Sequence, residues 1–558
     1  MKYRKMGSLD WEVSALGFGC MRLPTKKVNG NELVDDEEAI RMIRYAIDNG
    51  VNYFDTAFTY HAEKSEVIVG KALQDGYREK IKLVTKLPMW LIKQKEDFDK
   101  YLNIQLEKLQ TSYLDIYLFH GLNKQHFELI KKYDFIKNME EAKALGKIKH
   151  VGFSFHDSYD VFKEIIDFYD WDMAQIQWNY VDYNTQATTK GLEYAASKGI
   201  AVVVMEPIKG GELANPTKEI EEIIKNAPIK RTAANWALQY VWNHPGVSVV
   251  LSGMNTFDQV KENIESANNS GINTLEQEEL KIISDMAIRY RKTSIIPCTF
   301  CLYCQPCPSG VNIPQNFRLL NELLWTENNE EQFNNYNSLA KSEEELKTME
   351  NNGNASLCVQ CGECLEKCPQ MIDIPFELEK VHLVLGECQE ISKVYKVFLR
   401  GPKYVEKEEF KIVGIEDIGK IQKRNVPQIW AKFQELSTGV PNRDGSHGLG
   451  ISMATKEMFE KGENRYIVAN EIYKIEEIPK GMIIETIPTQ KYVVFTHIGK
   501  TDNIGETFRY INEEWLPNNS RYERLPFAPE IEWYDHRFNV NSDDSELDLY
   551  IPIQEKNS

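Results

Sequence analysis

Eight of the ten cysteines in this 558-residue chain fall in two short runs. The first reads Cys298-Thr-Phe-Cys301-Leu-Tyr-Cys304-Gln-Pro-Cys307-Pro308 and the second Cys358-Val-Gln-Cys361-Gly-Glu-Cys364-Leu-Glu-Lys-Cys368-Pro369. Thiolates are soft ligands. Two-residue gaps let a tight loop aim three of them at one face of an iron–sulfur cube, and the proline turns the chain away after the fourth. Two [4Fe–4S] clusters are the chemistry this spacing suits. Zinc is the rival, since paired C-x2-C motifs also build zinc sites, but four close cysteines followed by proline, twice, speak against it. Disulfides fit less well, because a secreted scaffold spreads its cysteine pairs through its loops. Cys20 and Cys388 stand alone and read as buried, inert thiols.

A second constellation lies nearer the N-terminus. Asp55 follows Val-Asn-Tyr-Phe, Lys86 follows Lys-Leu-Val-Thr and His120 follows Tyr-Leu-Phe, each closing an apolar run, with Tyr60 five residues beyond Asp55. A lysine flanked by Leu83, Val84 and Leu87 is costly to bury without a counter-charge, and Asp55 on the neighbouring run supplies one. Taken singly, each has an ordinary structural explanation: a turn aspartate, a snorkelling lysine, a core histidine, a buried aromatic.

The elements that must position these groups follow from periodicity. Eight short apolar runs, 16–23, 51–57, 81–87, 114–120, 150–155, 173–178, 200–205 and 247–253, alternate with segments of helical period such as 37–48 and 98–109. Eight strands alternating with helices predict a (β/α)8 TIM barrel, whose chemistry sits at the C-terminal rim of the strands. A doubly wound open sheet shares the alternation and is the alternative. Residues 3–13 read as a hairpin closing the barrel floor. Beyond the barrel (1–285), the cysteine runs and their helical connectors form a small module (286–400), in which a helical stretch, 374–398, leads through Gly401-Pro402-Lys403. An α+β domain with period-two aromatic strands follows (405–558). Its signals are 492–497, 547–551 and an amphipathic segment near 504–516. A net charge of −18 argues against a broad grip on nucleic acid or anionic lipid. With no apolar run near the roughly 20 residues of a spanning helix and cysteines suited to a reducing compartment, a cytoplasmic protein is expected.

Three resemblances accompany this reading. The second cysteine run matches the spacing of bacterial two-cluster ferredoxins, and the first is one residue shorter before its last cysteine. The resemblance implies crossed ligand sets, Cys298/Cys301/Cys304/Cys368 and Cys358/Cys361/Cys364/Cys307. The segments Phe54-Asp55-Thr56-Ala57-Phe58-Thr59-Tyr60, Val84-Thr85-Lys86 and Leu118-Phe119-His120 together resemble the Asp-Tyr-Lys-His tetrad of the aldo-keto reductases, over roughly residues 1–285. That resemblance implies hydride transfer from NADPH or NADH to a carbonyl. Tyr60 would protonate the alkoxide, Lys86 would favour its phenolate, Asp55 would balance Lys86, and His120 would orient the carbonyl. It also implies cofactor contacts at Ser154, Gln175, Met205, Pro207, Ile208, Gly210, Ser252, Gly253, Glu262 and Asn263. Met205 stands where an aromatic often stacks, and basic residues for a 2′-phosphate are not obvious around 252–255. The barrel-plus-ferredoxin arrangement, with Met205-Glu206-Pro207, resembles a bacterial iron–sulfur subgroup of that family. Residues from about 405 resemble the effector-binding fold of gyrase-inhibitor-like proteins and AraC-type regulators. This implies a cationic or amphipathic ligand at Glu532, walled by Trp430, Trp515 and Tyr534.

The expectation is an NAD(P)-dependent iron–sulfur oxidoreductase with a small-molecule carbonyl or alcohol substrate, an electron-transfer partner, and neither nucleic acid nor membrane as a partner. The alternative is a redox- or ligand-responsive binding protein whose barrel turns over little.

Overall fold

The eight apolar runs become eight parallel strands: β1 (Leu16–Gly19), β2 (Tyr53–Asp55), β3 (Lys82–Pro88), β4 (Leu114–Leu122), β5 (Ile148–Phe155), β6 (Met173–Gln177), β7 (Ala201–Met205) and β8 (Val247–Gly253). They close on themselves, with β8 pairing β1, into a barrel rather than an open sheet. The structure, a computed structural model, describes residues 1–28, 31–324, 330–346, 352–395, 399–420, 424–440, 443–473, 479–501, 504–519, 521–540, 542 and 545–556. It divides into two compact units, Met1–Ser294 with Thr299–Cys301, and Ile295–Cys298 with Leu302–Ser558.

In the first unit, strand alternation sends Tyr53, Val84, Ile116, Leu118, Met173, Ala201, Val203, Val249 and Leu251 into the barrel interior. Met6 and Val13, from the hairpin of Tyr3–Lys5 and Glu12–Ser14, join that interior cluster and plug one end. The opposite strand faces meet the surrounding helices in a larger core. The helix Asp36–Asp48 shows the local logic. Asp35 caps it by accepting the Glu38 N–H, and Ala39, Met42, Ile43, Ala46 and Ile47 form its buried stripe. A last helix, Gln277–Thr293, carries the unit past position 285.

The second unit opens with two similar half-motifs. Each cysteine run is followed by a capping Asn or Asp, an Ile and a Pro: Asn312-Ile313-Pro314 starts the helix Ile313–Leu323, and Asp373-Ile374-Pro375 starts α1 (Ile374–Val381). Proline suits the first helical turn because its missing N–H has no partner there. Both helices bury their apolar faces in one core with Ile296, Val311, Tyr336 and Ile372. The helix expected over 374–398 is broken: a π turn, His382–Gly386, follows α1, and a short helix, Ile391–Val394, ends it. Residues 396–398 lie outside the described residues.

The remainder is an antiparallel sheet with strands β9 (Leu399–Lys407), β10 (Phe410–Lys420), β11 (Gly448–Met453), β12 (Glu463–Glu471), β13 (Ile483–Ile487), β14 (Gln490–Ile498), β15 (Tyr522–Arg524), β16 (Glu530–Tyr534) and β17 (Glu546–Glu555). Its order is β9-β14-β17-β16-β11-β12-β10-β13, with β15 on β17. Gly401-Pro402-Lys403 lies within β9 and is not a linker; the register shifts between Arg400 and Lys403. An edge strand with an irregularity is where a sheet tolerates proline.

Candidate active site, cluster ligands and ligand pocket

In the barrel, the expected site residues continue the inward parity of their strands. Two positions beyond Tyr53, Val84, Leu118, Met173 and Val203 stand Asp55, Lys86, His120, Gln175 and Met205, towards the C-terminal ends of β2, β3, β4, β6 and β7. Lys86 Nζ donates to Asp55 Oδ1 at 2.6 Å and to the Thr56 carbonyl at 2.9 Å, and lies 3.4 Å from the Tyr60 hydroxyl. Asp55, Lys86 and His120 are 1%, 0% and 2% exposed, and Tyr60 8%, so water does not screen these contacts. Burial pushes the Asp55 carboxyl up, and the Lys86 ammonium pulls it back. Burial, helped by the charge of Lys86 and by His156 and His126, holds the His120 imidazole well below the usual histidine range. A neutral imidazole can donate one hydrogen bond. Its ring meets Tyr60 edge-on at 6.0 Å and Trp90 at 4.8 Å.

A tight loop aims Tyr60. The Tyr60 N–H donates to the Ala57 carbonyl and the Ser65 N–H to that of Tyr60. His61, Ala62 and Glu63 are left-handed (φ 51°, 50° and 68°), and His61 Nε2 accepts the Leu23 N–H at 2.9 Å. Behind Lys86 runs a network that the sequence reading missed. Gln105 Nε2 donates to the Lys86 carbonyl at 3.0 Å and to Glu66 Oε1 at 2.6 Å. Thr85 donates to the same Glu66 oxygen at 2.6 Å, and Tyr117 donates to Gln105 Oε1 at 2.7 Å. A polar residue on the buried face of an amphipathic helix gives no periodic signal that could have marked it.

The cofactor expectations separate into groups. Ser154 pairs with Gln175 across β5 and β6. Ser154 Oγ accepts the Gly121 N–H at 2.7 Å. Gln175 Nε2 lies 3.8 Å from the Met205 sulfur, while its Oε1 is buried without a protein partner among the described residues. A buried amide oxygen beside a serine hydroxyl fits the carboxamide of a nicotinamide. Ser252 Oγ accepts from Asn263 Nδ2 at 3.1 Å, and Glu262 accepts the Thr232 hydroxyl at 2.5 Å. Pro207 is buried, and Ile208 packs into the layers between strands and helices. Gly210 is left-handed (φ 65°), and a Cβ there would stand 2.1 Å from the Thr299 carbonyl oxygen; one at Gly253 would stand 3.3 Å from the Arg22 side chain. At both glycines the close neighbour is the chain itself. Arg22, at the end of the turn after β1, brings its side chain alongside Gly253.

The cysteines fall into two groups. Burial raises the Cys304 thiol, followed by the neighbouring Cys298, Cys368 and Cys364. Burial likewise raises Cys358, with Cys307 and Cys361 adding to it, and pushes Cys364 up to about 12, where Cys358, Cys307 and Cys361 contribute. Each of these thiols thus feels the charge of cysteines from both runs. Cys368 is raised by burial, opposed by N–H groups of Ile372, Gln370 and Met371 that favour its thiolate. This all-thiol donor set fits iron–sulfur ligation. Among the described residues no three His, Cys, Asp or Glu side chains are gathered tightly enough for a single ion. Cys301 is counted with the first unit. Cys20 is buried, whereas Cys388 is exposed, contrary to the expectation of an inert buried thiol, because it follows the π turn at the end of α1.

In the antiparallel sheet, Glu532 Oε2 accepts the Tyr466 hydroxyl at 2.7 Å and the Tyr534 hydroxyl at 2.8 Å. Trp430, on α2 (Val426–Ser437), meets Tyr534 edge-on at 4.8 Å. Two glycines of β11 make the room. A Cβ at Gly450 would stand 2.4 Å from the Tyr466 oxygen, and one at Gly448 would stand 2.8 Å from the Trp430 ring. Burial raises the Glu532 carboxyl, and the two hydroxyls pull it back. Trp515, by contrast, has no ring contact with Trp430 or hydrogen bond to Glu532 among the described residues. It is buried with its ring 5.1 Å from Phe495, in a core against which Tyr534 also packs. Tyr466 takes its place, brought in by sheet register alone.

Residues 15–287 match the aldo/keto reductase family model, residues 297–372 the 4Fe-4S dicluster domain and residues 403–553 the integron-associated effector binding protein family. The chain therefore carries, in this order, an aldo/keto reductase barrel, a 4Fe-4S dicluster domain and an effector-binding domain. Among curated relatives, the oxidoreductase YqkF of Bacillus subtilis is 28% identical over 319 residues, 51% of this chain and 95% of its own length. L-galactose dehydrogenase of Arabidopsis thaliana is 28% identical over 50% of this chain and 92% of its own. The transcriptional regulator BrlR of Pseudomonas aeruginosa is 31% identical over 152 residues, 27% of this chain and 54% of BrlR. The holo structure of the aldo-keto reductase AKR11C1 from Bacillus halodurans aligns at 29% identity over 51% of this chain and 96% of its own, with a TM-score of 0.43. Among the described residues no helix is long and apolar enough to cross a membrane.

Proposed function

We propose that the chain is an NAD(P)-dependent oxidoreductase that reduces a small-molecule carbonyl, or oxidises the matching alcohol in reverse, with Tyr60 as general acid and base. The observation that carries this reading is Lys86 Nζ standing between Asp55 Oδ1 and the Tyr60 hydroxyl. Bound reduced nicotinamide supplies the hydride. Tyr60 gives its proton to the substrate oxygen, and the adjacent ammonium stabilises the phenolate left behind. Asp55 balances and fixes Lys86, and neutral His120 donates to the carbonyl oxygen to orient it. Ser154 and Gln175 would hold the carboxamide, Met205 would cover the ring face, and Ser252, Glu262 and Asn263 would serve the adenosine side.

Cys298/Cys301/Cys304/Cys368 and Cys358/Cys361/Cys364/Cys307 would each hold one [4Fe–4S] cluster for one-electron exchange with a redox partner. A reducing cytoplasm suits these thiols. Glu532, with Tyr466, Tyr534 and Trp430, would bind an aromatic cation.

The decisive experiment is anaerobic NADPH and NADH oxidation against a panel of aldehydes and ketones. Tyr60→Phe is expected to abolish turnover while binding the cofactor as before; wild-type turnover by that variant would overturn the assignment.

A further inference from the structure

We infer that Arg22 is a shared cation: it clamps the loop between Cys298 and Cys301 onto the barrel rim and exchanges that loop for a nucleotide phosphate. Cofactor binding would thereby be registered at the iron–sulfur centre. The inference rests on the nicotinamide reading above and adds to it a regulated element.

Arg22 Nη2 donates to the Thr299 carbonyl at 3.1 Å and to the Phe300 carbonyl at 3.4 Å. These are the two residues between the first two cysteines of the first run. Thr299 is 2% exposed, and its hydroxyl has no partner among the described residues. Its carbonyl lies against Gly210, where any side chain would collide with it. The loop after β7 that carries Gly210 is firmly held. Glu206 and Lys209 are left-handed (φ 55° and 48°), Asn179 Nδ2 donates to the Glu206 carbonyl at 3.0 Å, and Lys209 pairs with Asp182 at 3.0 Å. The 299–300 segment is thus seated between a fixed loop and a guanidinium.

The chemistry of the clamp makes it exchangeable. Two neutral carbonyls are weak acceptors for a guanidinium, and hydrogen bonds to an ionised phosphate are roughly twice as strong. Arg22 also lies along Gly253, beside Ser252, and its charge acts on Glu206, whose carboxyl burial raises and Arg22 lowers. A phosphate-bearing dinucleotide at Ser252 and Gly253 would therefore meet the Arg22 guanidinium. When the guanidinium turns to it, Thr299 and Phe300 lose their donor, and the backbone entering Cys301, left-handed at Phe300 (φ 59°), is freed to move.

The test uses the full chain with reconstituted clusters, reduced by dithionite, and ADP-ribose with or without a 2′-phosphate as a redox-inert probe. Calorimetry reads binding and electron paramagnetic resonance reads the clusters. In the wild type, saturation with the probe is expected to shift the g values of one cluster. Arg22→Gln should start from an altered spectrum, show no further shift and bind the probe at least about tenfold more weakly. Arg22→Lys should restore part of both. Binding without any spectral change, or an Arg22→Gln spectrum identical to the wild type, overturns the inference while leaving the nicotinamide reading intact. Failure of either probe to bind the wild type removes that reading itself, and the exchange with it.

Discussion

Asp55 in the barrel and Glu532 in the antiparallel sheet are both carboxylates raised by burial, and both belong to groups that contain a tyrosine hydroxyl. Their partners differ. Asp55 is neutralised by an internal lysine, which then faces Tyr60. Glu532 accepts hydroxyls from Tyr466 and Tyr534, and among the described residues no basic side chain is bonded to it. In the proposed function, the built-in positive charge lets the barrel group move a proton, and its lack lets the sheet group receive a cation from outside.

The largest expected effect breaks the barrel side of that comparison. Lys86→Met removes the internal cation, and carbonyl reduction should fall by about 10²–10⁴-fold while fluorescence titration shows NADPH still binding. Asp55→Asn instead strands the ammonium in a buried site, and denaturant unfolding should report a loss of about 3–5 kcal/mol. On the sheet side, Glu532→Gln should weaken binding of an aromatic cation such as ethidium by about 2 kcal/mol. In the wild type that binding should strengthen as pH rises through the raised Glu532 value, since the cation needs the carboxylate, and Glu532→Gln should be flat. The sign for stability is opposite. A raised carboxyl contributes stability that is complete below its ordinary value of 4.5 and is lost as pH climbs through the folded one. An effect of the same order is expected of Gly450→Ala, whose methyl would crowd Tyr466 and Glu532. It should cost about 1–3 kcal/mol and lower ethidium affinity without touching carbonyl reduction.

Legibility in the sequence followed periodicity. The eight barrel strands were readable because each is an apolar run bounded by polar helical segments, and 247–253 coincides with β8. Asp55, Lys86 and His120 were readable because they end such runs. Arg22, Gln105 and Tyr466 were not, since each reaches its site from another element: Arg22 at Gly253, Gln105 at Lys86, Tyr466 at Glu532. Trp515 failed in the opposite direction. Its aromatic type suggested a pocket wall, but it is buried in a core beside Phe495.

By itself, then, the sequence determined the cysteine spacing, the strand count and the inward parity of Asp55, Lys86 and His120, because short-range spacing and side-chain alternation are local properties of the chain. Only the tertiary structure decided which charges meet. Whether a buried carboxylate finds a lysine, as Asp55 does, or two hydroxyls, as Glu532 does, depends on strand register and loop path. In a low-dielectric interior, that choice of neighbour sets the chemistry.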